Sequence, residues 1–357
     1  MEDFTKNSNN SQLDPFSVVR REVETISERL RHSVTTTVPS LKTAAEYFFN
    51  RGVEGKRLRP TLAMLMSSAL AEAPPAEEFM IADLRPASVY APELRRRQQR
   101  VAEIAELIHV ASLMHDDVLD EAATRRGVLS LNSVAGNKIA ILAGDFLLAR
   151  ASVSLASLRN NETVELMSNV LENLVAGEVM QMTASQDQLT DMDHYLSKSY
   201  CKTAALMANS CRSVAAISEQ TEEVRKAAWD YGRNLGLAFQ IVDDILDLTV
   251  SSSMLGKPAL NDMKSGLATA PVLFAMEEKP ELKPLILRRF KQEGDIAKAM
   301  ELVEATQGIQ RAKDLAAEHC HKAAAAIGFL PAAQSAHTTL CREALLRITD
   351  KVLTRTK

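Results

Sequence analysis

Apolar residues recur every three to four positions along almost the whole of this 357-residue chain, and no stretch shows period-two alternation with turn punctuation. That repeat can bury its apolar side only as a helix packed on other helices. Ala, Leu, Glu and Arg, all good helix formers, are among the commonest residues, and 46% of residues are hydrophobic, enough for a large core. The fold class is therefore all-α: a single domain of long packed helices, with 1–13 as a disordered N-terminal segment and 14–357 as the helical domain.

The pattern predicts a helix from Asp14 to about Val34, with Asp14 as N-cap and Pro15 at the first helical position. A second runs from Ser40 to Arg51. Gly52 and Gly55 then break the chain before Lys56-Arg57-Leu58-Arg59-Pro60, where a third begins and runs to about Ala71. Pro74, Pro75, Pro86 and Pro92 mark 72–92 as a long surface loop. Helices follow over 93–121, 137–158, 162–184, 192–218 and 222–250. After a loop at 249–262 the helical period continues to the end.

Two of these helices end in the same unusual way. One reads LIHVASLMHDDVLDEAATRRG and carries Asp116, Asp117 and Asp120; the other reads LGLAFQIVDDILDLT and carries Asp243, Asp244 and Asp247. Residues four apart share a helix face, so Asp116 stands over Asp120 and Asp243 over Asp247. Like charges at that spacing repel, and beside an apolar run they are also partly desolvated. A solvated acidic face is the plain alternative for one cluster; two with identical spacing call for a shared cause. A hard divalent cation relieves both penalties. Magnesium takes oxygen ligands and characteristically binds through one or two carboxylates plus substrate phosphates.

A diphosphate also asks for cations from the protein. Lys56, Arg57 and Arg59 follow a glycine at a helix start, where free N–H groups favour anions. Arg125 and Arg126 lie just past the first cluster, Lys202 sits in a helix beside Thr203, and Lys257 follows Gly256 after the second cluster. Arginine can grip phosphate oxygens with two parallel bonds. Cations that bind one diphosphate directly, with magnesium binding another, would make a two-substrate site.

Other classes are disfavoured. The net charge of −4 suggests no nucleic-acid surface. Cys201, Cys211, Cys320 and Cys341 match no zinc or redox spacing and read as small buried apolar residues in a reducing compartment. No uninterrupted apolar run approaches the length of a membrane span, so no transmembrane segment is expected. MEDFTKNSNNSQ reads as neither a signal peptide nor a good transit peptide.

The motifs GKRLRP (55–60), DDVLD followed by RRG, GDF (144–146), GEVMQ (177–181), KT (202–203) and FQIVDDILD followed by GKP, in this order, resemble the trans-isoprenyl diphosphate synthases over nearly the whole chain from about residue 14. The likeness is greatest to the long-chain polyprenyl synthases of plants, of the solanesyl type. The resemblance implies the isoprenoid synthase fold, a single-domain bundle of long helices around a central cavity, and a set of roles. Asp116 and Asp120 would hold Mg2+ from one side, and Asp243 with Asp247 from the other. Three ions would bridge the allylic diphosphate, and Asp117 and Asp244 complete the catalytic acids. Arg125, Lys202, Gln240 and Lys257 would help to bind that diphosphate, while Lys56, Arg59, His109 and Arg126 would bind isopentenyl diphosphate without metal. Thr203 and Gln240 would line the cation path. One departure is Leu267, where the family commonly has a polar or basic residue after DMKSG.

The resemblance also implies a product tunnel beside the first-cluster helix. Ala111 and Ser112, about one turn before Asp116, are small, as are Ala151, Ser152 and Ser154 on the next helix. Room there favours a long product of eight to ten isoprene units. The allylic primer could be dimethylallyl, geranyl, farnesyl or geranylgeranyl diphosphate. A homodimer is implied, with heteromers also known in the family, and a role in quinone side-chain supply. A mitochondrial location follows if a presequence has been removed, with plastid or cytoplasm as alternatives. Three competitors stand beside this reading: a short-chain geranyl diphosphate synthase, a class I terpene cyclase, and a non-catalytic regulatory subunit of a heteromeric synthase. The intact second aspartate cluster argues against the cyclase, and the intact acids and bases argue against the subunit.

Overall fold

The computed structural model describes residues 13–49, 55–70, 90–125, 127–250 and 260–356. The predicted N-terminal disorder, the bulk of the 72–92 loop, Gly52, Arg126, Gly256 and Lys257 lie outside them.

The helical repeat resolves into α1 (Arg20–Ser33), α2 (Pro39–Glu46), α3 (Leu58–Leu70), α4 (Tyr90–Leu119), a short hairpin of β1 (Thr124–Arg125) and β2 (Val128–Leu129), then α5 (Leu131–Ala135), α6 (Asn137–Ser157) and α7 (Asn161–Thr183). There follow α8 (Met192–Ser199), one wide turn at Tyr200–Ala204, α9 (Ala205–Ile217), α10 (Glu222–Thr249), α11 (Asn261–Lys264), α12 (Ala270–Glu278), α13 (Leu282–Leu287), α14 (Asp295–Glu304), α15 (Gly308–Ile327) and α16 (Ala336–Leu353). The all-α expectation holds.

Two long helices organise the rest. Helix α4 has 30 residues, about 45 Å at the α-helical rise. It buries Val101, Ile104, Ala105, Ile108 and Ala111 and packs most extensively on α6. Helix α10 has 28 residues and lies between α9 and α15. Both close approaches need glycine. A Cβ on Gly144 of α6 would come 2.2 Å from Nε2 of His115 on α4, and one on Gly232 of α10 would come 2.6 Å from the Met207 carbonyl oxygen on α9. These two helices deliver the two acidic clusters at their C-terminal ends.

Several boundaries move. Asp14 does not cap a helix: residues 15–19 form turns, α1 begins at Arg20, and the Asp14 carboxylate instead accepts from Lys351 Nζ at 2.9 Å. Helix α4 starts at Tyr90, inside the expected loop, because Pro92 in the first turn needs no N–H partner. The 192–218 segment is interrupted at Tyr200–Ala204 by a turn in which Ala205 N–H bonds back to the Tyr200 carbonyl, five residues away. A hairpin of two-residue strands is too short for any alternation to reveal. Finally, α6 is long and apolar enough by length and composition to cross a membrane, with a third of that stretch buried. Lys138, Asp145 and Arg150 interrupt any continuous run, so a search for uninterrupted apolar stretches passes over it.

Candidate active site

The first acidic cluster forms one end of a cleft of about 320 Å³ between α4 and α7. Ile108, Ser112, His115, Asp116 and Leu119 line it from α4. Leu171, Leu174, Val175, Glu178, Val179 and Met182 line it from α7, with Leu148 from α6 and Lys202 from the wide turn. Charge gathers at one end, where Asp116, Glu178 and Lys202 meet; the remaining wall is almost wholly apolar. From Asp116 to Ile108 the apolar stripe covers about 12 Å of helix.

The three acids of the first cluster differ in surroundings. Asp116 faces the cleft. Burial pushes its carboxyl up to about 6, with Glu178 and Asp120 adding to the rise and Lys202 and Arg125 opposing it. Asp120 is exposed just beyond the end of α4. Asp117 is turned the other way and fully buried: its Oδ1 accepts from Arg125 Nε at 2.7 Å, and its backbone carbonyl accepts from Asn132 Nδ2. Its buried Oδ2 has no hydrogen-bond partner among the described residues. Asp117 thus holds Arg125 and the β1–β2 hairpin, and is a support for the cleft rather than part of its lining.

The second cluster divides similarly. Asp243 is exposed on one side and pairs with Arg355 Nη1 at 3.0 Å; the same guanidinium lies 4.8 Å from the Phe239 ring. Burial raises the Asp243 carboxyl, and Arg355 acts against that. Asp244 is almost completely buried and accepts from Tyr195 Oη at 2.6 Å and from Gln240 Nε2 at 2.7 Å. Both Asp247 oxygens accept backbone N–H groups, from Asn261 and Asp262. Asp247 therefore caps α11 and restrains the chain where it re-enters after α10.

The wide turn connects the clusters. Lys202 Nζ pairs with Glu178 and reaches Gln181 Oε1 at 3.3 Å. Its neighbour Thr203 donates to Gln240 Oε1 at 2.6 Å, and Gln240 in turn donates to Asp244. A single hydrogen-bonded chain thus runs Thr203–Gln240–Asp244–Tyr195.

Among the expected basic residues, Arg59 Nη1 and His109 Nε2 share a hydrogen bond at 3.0 Å. His109 lies seven residues before Asp116, on nearly the same face of α4. Lys56 is exposed at the start of α3. Arg57 is different: it is buried, pairs with Glu106 of α4 and sits over the Phe49 ring. It is a structural tie, and its positive φ of 53° turns the chain into α3. Ser112 lines the cleft, whereas Ala111 is fully buried on an adjacent face and Ala151, Ser152 and Ser154 do not line it. The open wall is the stripe Ile108, Ser112 and His115, one residue out of step with the expectation for Ala111.

Sequence reasoning missed several participants. His115 precedes Asp116 directly, and its Nε2 lies 3.5 Å from Asp145 Oδ1. Glu178 sits within the GEVMQ motif already singled out. Tyr195, Lys198 and Arg355 had no motif to flag them. Lys198 lies 5.8 Å from the Tyr195 ring; burial lowers its ammonium pKa, with Asp244 opposing. Asp262 is raised by burial and by the nearby Asp244 and Asp247.

Among the described residues, no three acidic, His or Cys side chains converge closely enough to hold a metal unaided. The donors are oxygens, half-buried and carrying excess negative charge around Asp116. That set fits magnesium, which needs only one or two carboxylates when phosphate and water complete its shell.

The sequence profile described as polyprenyl synthetase matches residues 38–303. The chain belongs to the polyprenyl synthetase family. Its relatives include solanesyl-diphosphate synthase 1, mitochondrial, of Oryza sativa subsp. japonica, 49% identical over 97% of this chain and 80% of that protein. Solanesyl diphosphate synthase 3, chloroplastic/mitochondrial, of Arabidopsis thaliana is 50% identical over 97% of this chain and 81% of that one. The apo form of an Arabidopsis medium/long-chain length prenyl pyrophosphate synthase superposes with a TM-score of 0.78 at 44% identity, covering 97% of this chain and 100% of its own. The Caulobacter crescentus polyprenyl synthase crystallised with calcium and isoprenyl diphosphate gives 0.80 at 28% identity, covering 96% and 98%. The fold is thus that of the isoprenoid synthases, and the chain is a trans-prenyltransferase.

Proposed function

We propose that this enzyme condenses an allylic diphosphate with successive isopentenyl diphosphates, giving a long-chain all-trans polyprenyl diphosphate of about nine isoprene units, solanesyl in type. The observation that carries this reading is the cleft itself. It has a charged end at Asp116, Glu178 and Lys202 and continues as an apolar wall beside α4 and α7. A diphosphate suits the first part and a growing hydrocarbon the second. Relatives named as solanesyl synthases support the product length.

In this reading Asp116 and Asp120 would hold magnesium on one side and Asp243 on the other, beside the allylic diphosphate. Magnesium, when bound, supplies Lewis-acid stabilisation of the charge that develops on the departing diphosphate. Lys202 and Arg125 act on the same charge, and their fixed placement is what makes them effective. Lys56, Arg59 and His109 hold isopentenyl diphosphate, and Arg126 and Lys257 join the two sets by resemblance. The allylic C–O bond ionises to release diphosphate, the isopentenyl double bond attacks the allylic cation, and the resulting cation gives up a proton to the released diphosphate. Thr203 and Gln240 turn oxygen dipoles toward the path of the cation. Asp117, Asp244 and Asp247 act through the groups they hold.

A second copy of the chain is the proposed partner. Leu142 and Val153 of α6 and Val175, Val179 and Met182 of α7 are exposed large apolar residues on adjoining helices, and three of them also edge the cleft. Covering them would close the cleft as well as bury the patch. One relative named mitochondrial and one named chloroplastic/mitochondrial support an organellar site of action, with the supply of quinone side chains as the proposed role.

The test is incubation of the enzyme with magnesium, labelled isopentenyl diphosphate and each allylic primer in turn, followed by dephosphorylation and chromatography. A product near nine units supports the proposal. A product stopping at geranyl length would overturn the long-chain reading, and no product from folded protein would favour the regulatory-subunit alternative.

A further inference from the structure

The wide turn at Tyr200–Ala204 contains an extra residue relative to an α-helix, and it carries Lys202 and Thr203 into the site. Such single π-turns cost hydrogen-bond geometry and persist mostly where function uses the altered side-chain direction. A bulge of this kind also takes up lateral space, and here two neighbours lack side chains where it swells. A Cβ on Gly177 of α7 would come 2.7 Å from Lys202 Cγ and 3.0 Å from Cys201 Cβ. A Cβ on Gly236 of α10 would come 2.5 Å from Ala204 Cα and 2.8 Å from Ala204 Cβ. Neither glycine has a positive φ, so neither is needed for its own backbone. Both are needed by the turn.

The turn sends consecutive residues to different partners. Lys202 goes to Glu178 and Gln181, one and four residues after Gly177 on α7. Thr203 goes to Gln240, four residues after Gly236 on α10. Each glycine therefore sits about one turn or less from the residue that receives the neighbouring polar group. We infer that Gly177 and Gly236 are positioning residues: they seat the π-turn between α7 and α10, and so set where the Lys202 ammonium and the Thr203 hydroxyl stand relative to the two acidic clusters. This rests on the proposal that Lys202 grips the allylic diphosphate.

The two glycines differ in what a methyl would meet. At Gly236 it meets backbone, so substitution there risks the fold. At Gly177 the nearest atoms are Cγ in the Lys202 stem and Cβ of Cys201, and the lysine can yield by changing rotamer, which moves its ammonium. Gly177→Ala is therefore the informative variant, checked for folding by circular dichroism. Kinetics would be measured for wild type, Gly177→Ala, Lys202→Ala and the double variant, varying each diphosphate separately. The expected result is a severalfold rise in KM for the allylic diphosphate with Gly177→Ala, no change in KM for isopentenyl diphosphate, and no further effect of Gly177→Ala once Lys202 is alanine. Equal rises in both KM values, or full additivity with Lys202→Ala, would overturn the inference and leave Gly177 as packing alone. Wild-type kinetics from Gly177→Ala beside an impaired Lys202→Ala would overturn it equally. If Lys202→Ala left the allylic KM untouched, the site reading beneath would fall first, and the inference with it.

Discussion

At the scale of single residues, three aspartates in one motif sit in three different environments. Asp116 looks into the cleft, Asp120 is exposed, and Asp117 is buried against Arg125. Replacing Asp116 or Asp243 with alanine is expected to lower turnover by at least about a thousandfold in steady-state assays, since each would remove a metal-bridging group acting on the leaving diphosphate. The Asp116 carboxyl is raised to about 6, from the ordinary 3.8, chiefly by burial. Ionised Asp116 costs the metal-free fold free energy, so its contribution to stability is most favourable below the unfolded value and is lost as pH rises through about 6. Metal binding needs the ionised form. Affinity for magnesium, titrated calorimetrically with inorganic diphosphate, is therefore expected to fall as pH drops below about 6, with proton release on binding at that pH.

At the scale of elements, close helix approaches and buried ion pairs set the geometry of the site. Arg95 of α4 is fully buried and held by Glu22 of α1, Ser68 of α3 and Gln98. Arg95→Ala leaves the Glu22 carboxylate buried without its countercharge, held only by Gln99, and is expected to cost about 3–5 kcal/mol by denaturant unfolding. The helices that carry the acids are readable in the sequence because their apolar period is long and unbroken, and the Asp-x-x-x-Asp spacing fixes which acids share a face. The face that opens on the cleft is not readable: Ala111 and Ser112 are both small, and only packing against α6 and α7 buries the first and leaves the second at the cavity. The π-turn leaves no trace because YCKTA lacks a glycine or proline; the compensating glycines stand on other helices, Gly177 on α7 and Gly236 on α10. Tyr195 and Arg355 are equally silent, since each reaches its acid from a distant part of the chain.

At the scale of the whole molecule, a charged end and an apolar cleft are joined by the same two helices, so in the proposed function the site that starts the chain would also direct its growth. The exposed apolar patch on α6 and α7 adjoins that cleft. Light scattering is expected to find a dimer, and Val175→Glu with Val179→Glu to yield monomer with shorter products. The most direct test of the account is the product length made by Ser112→Phe, compared with wild type under identical magnesium and substrate concentrations. Ser112 lines the cleft one turn from Asp116, on the side of the apolar wall. The account expects products only a few isoprene units long, with the first condensation still proceeding at a rate near wild type. A full-length product from this variant would contradict it, because the hydrocarbon would then be growing somewhere other than the cleft between α4 and α7.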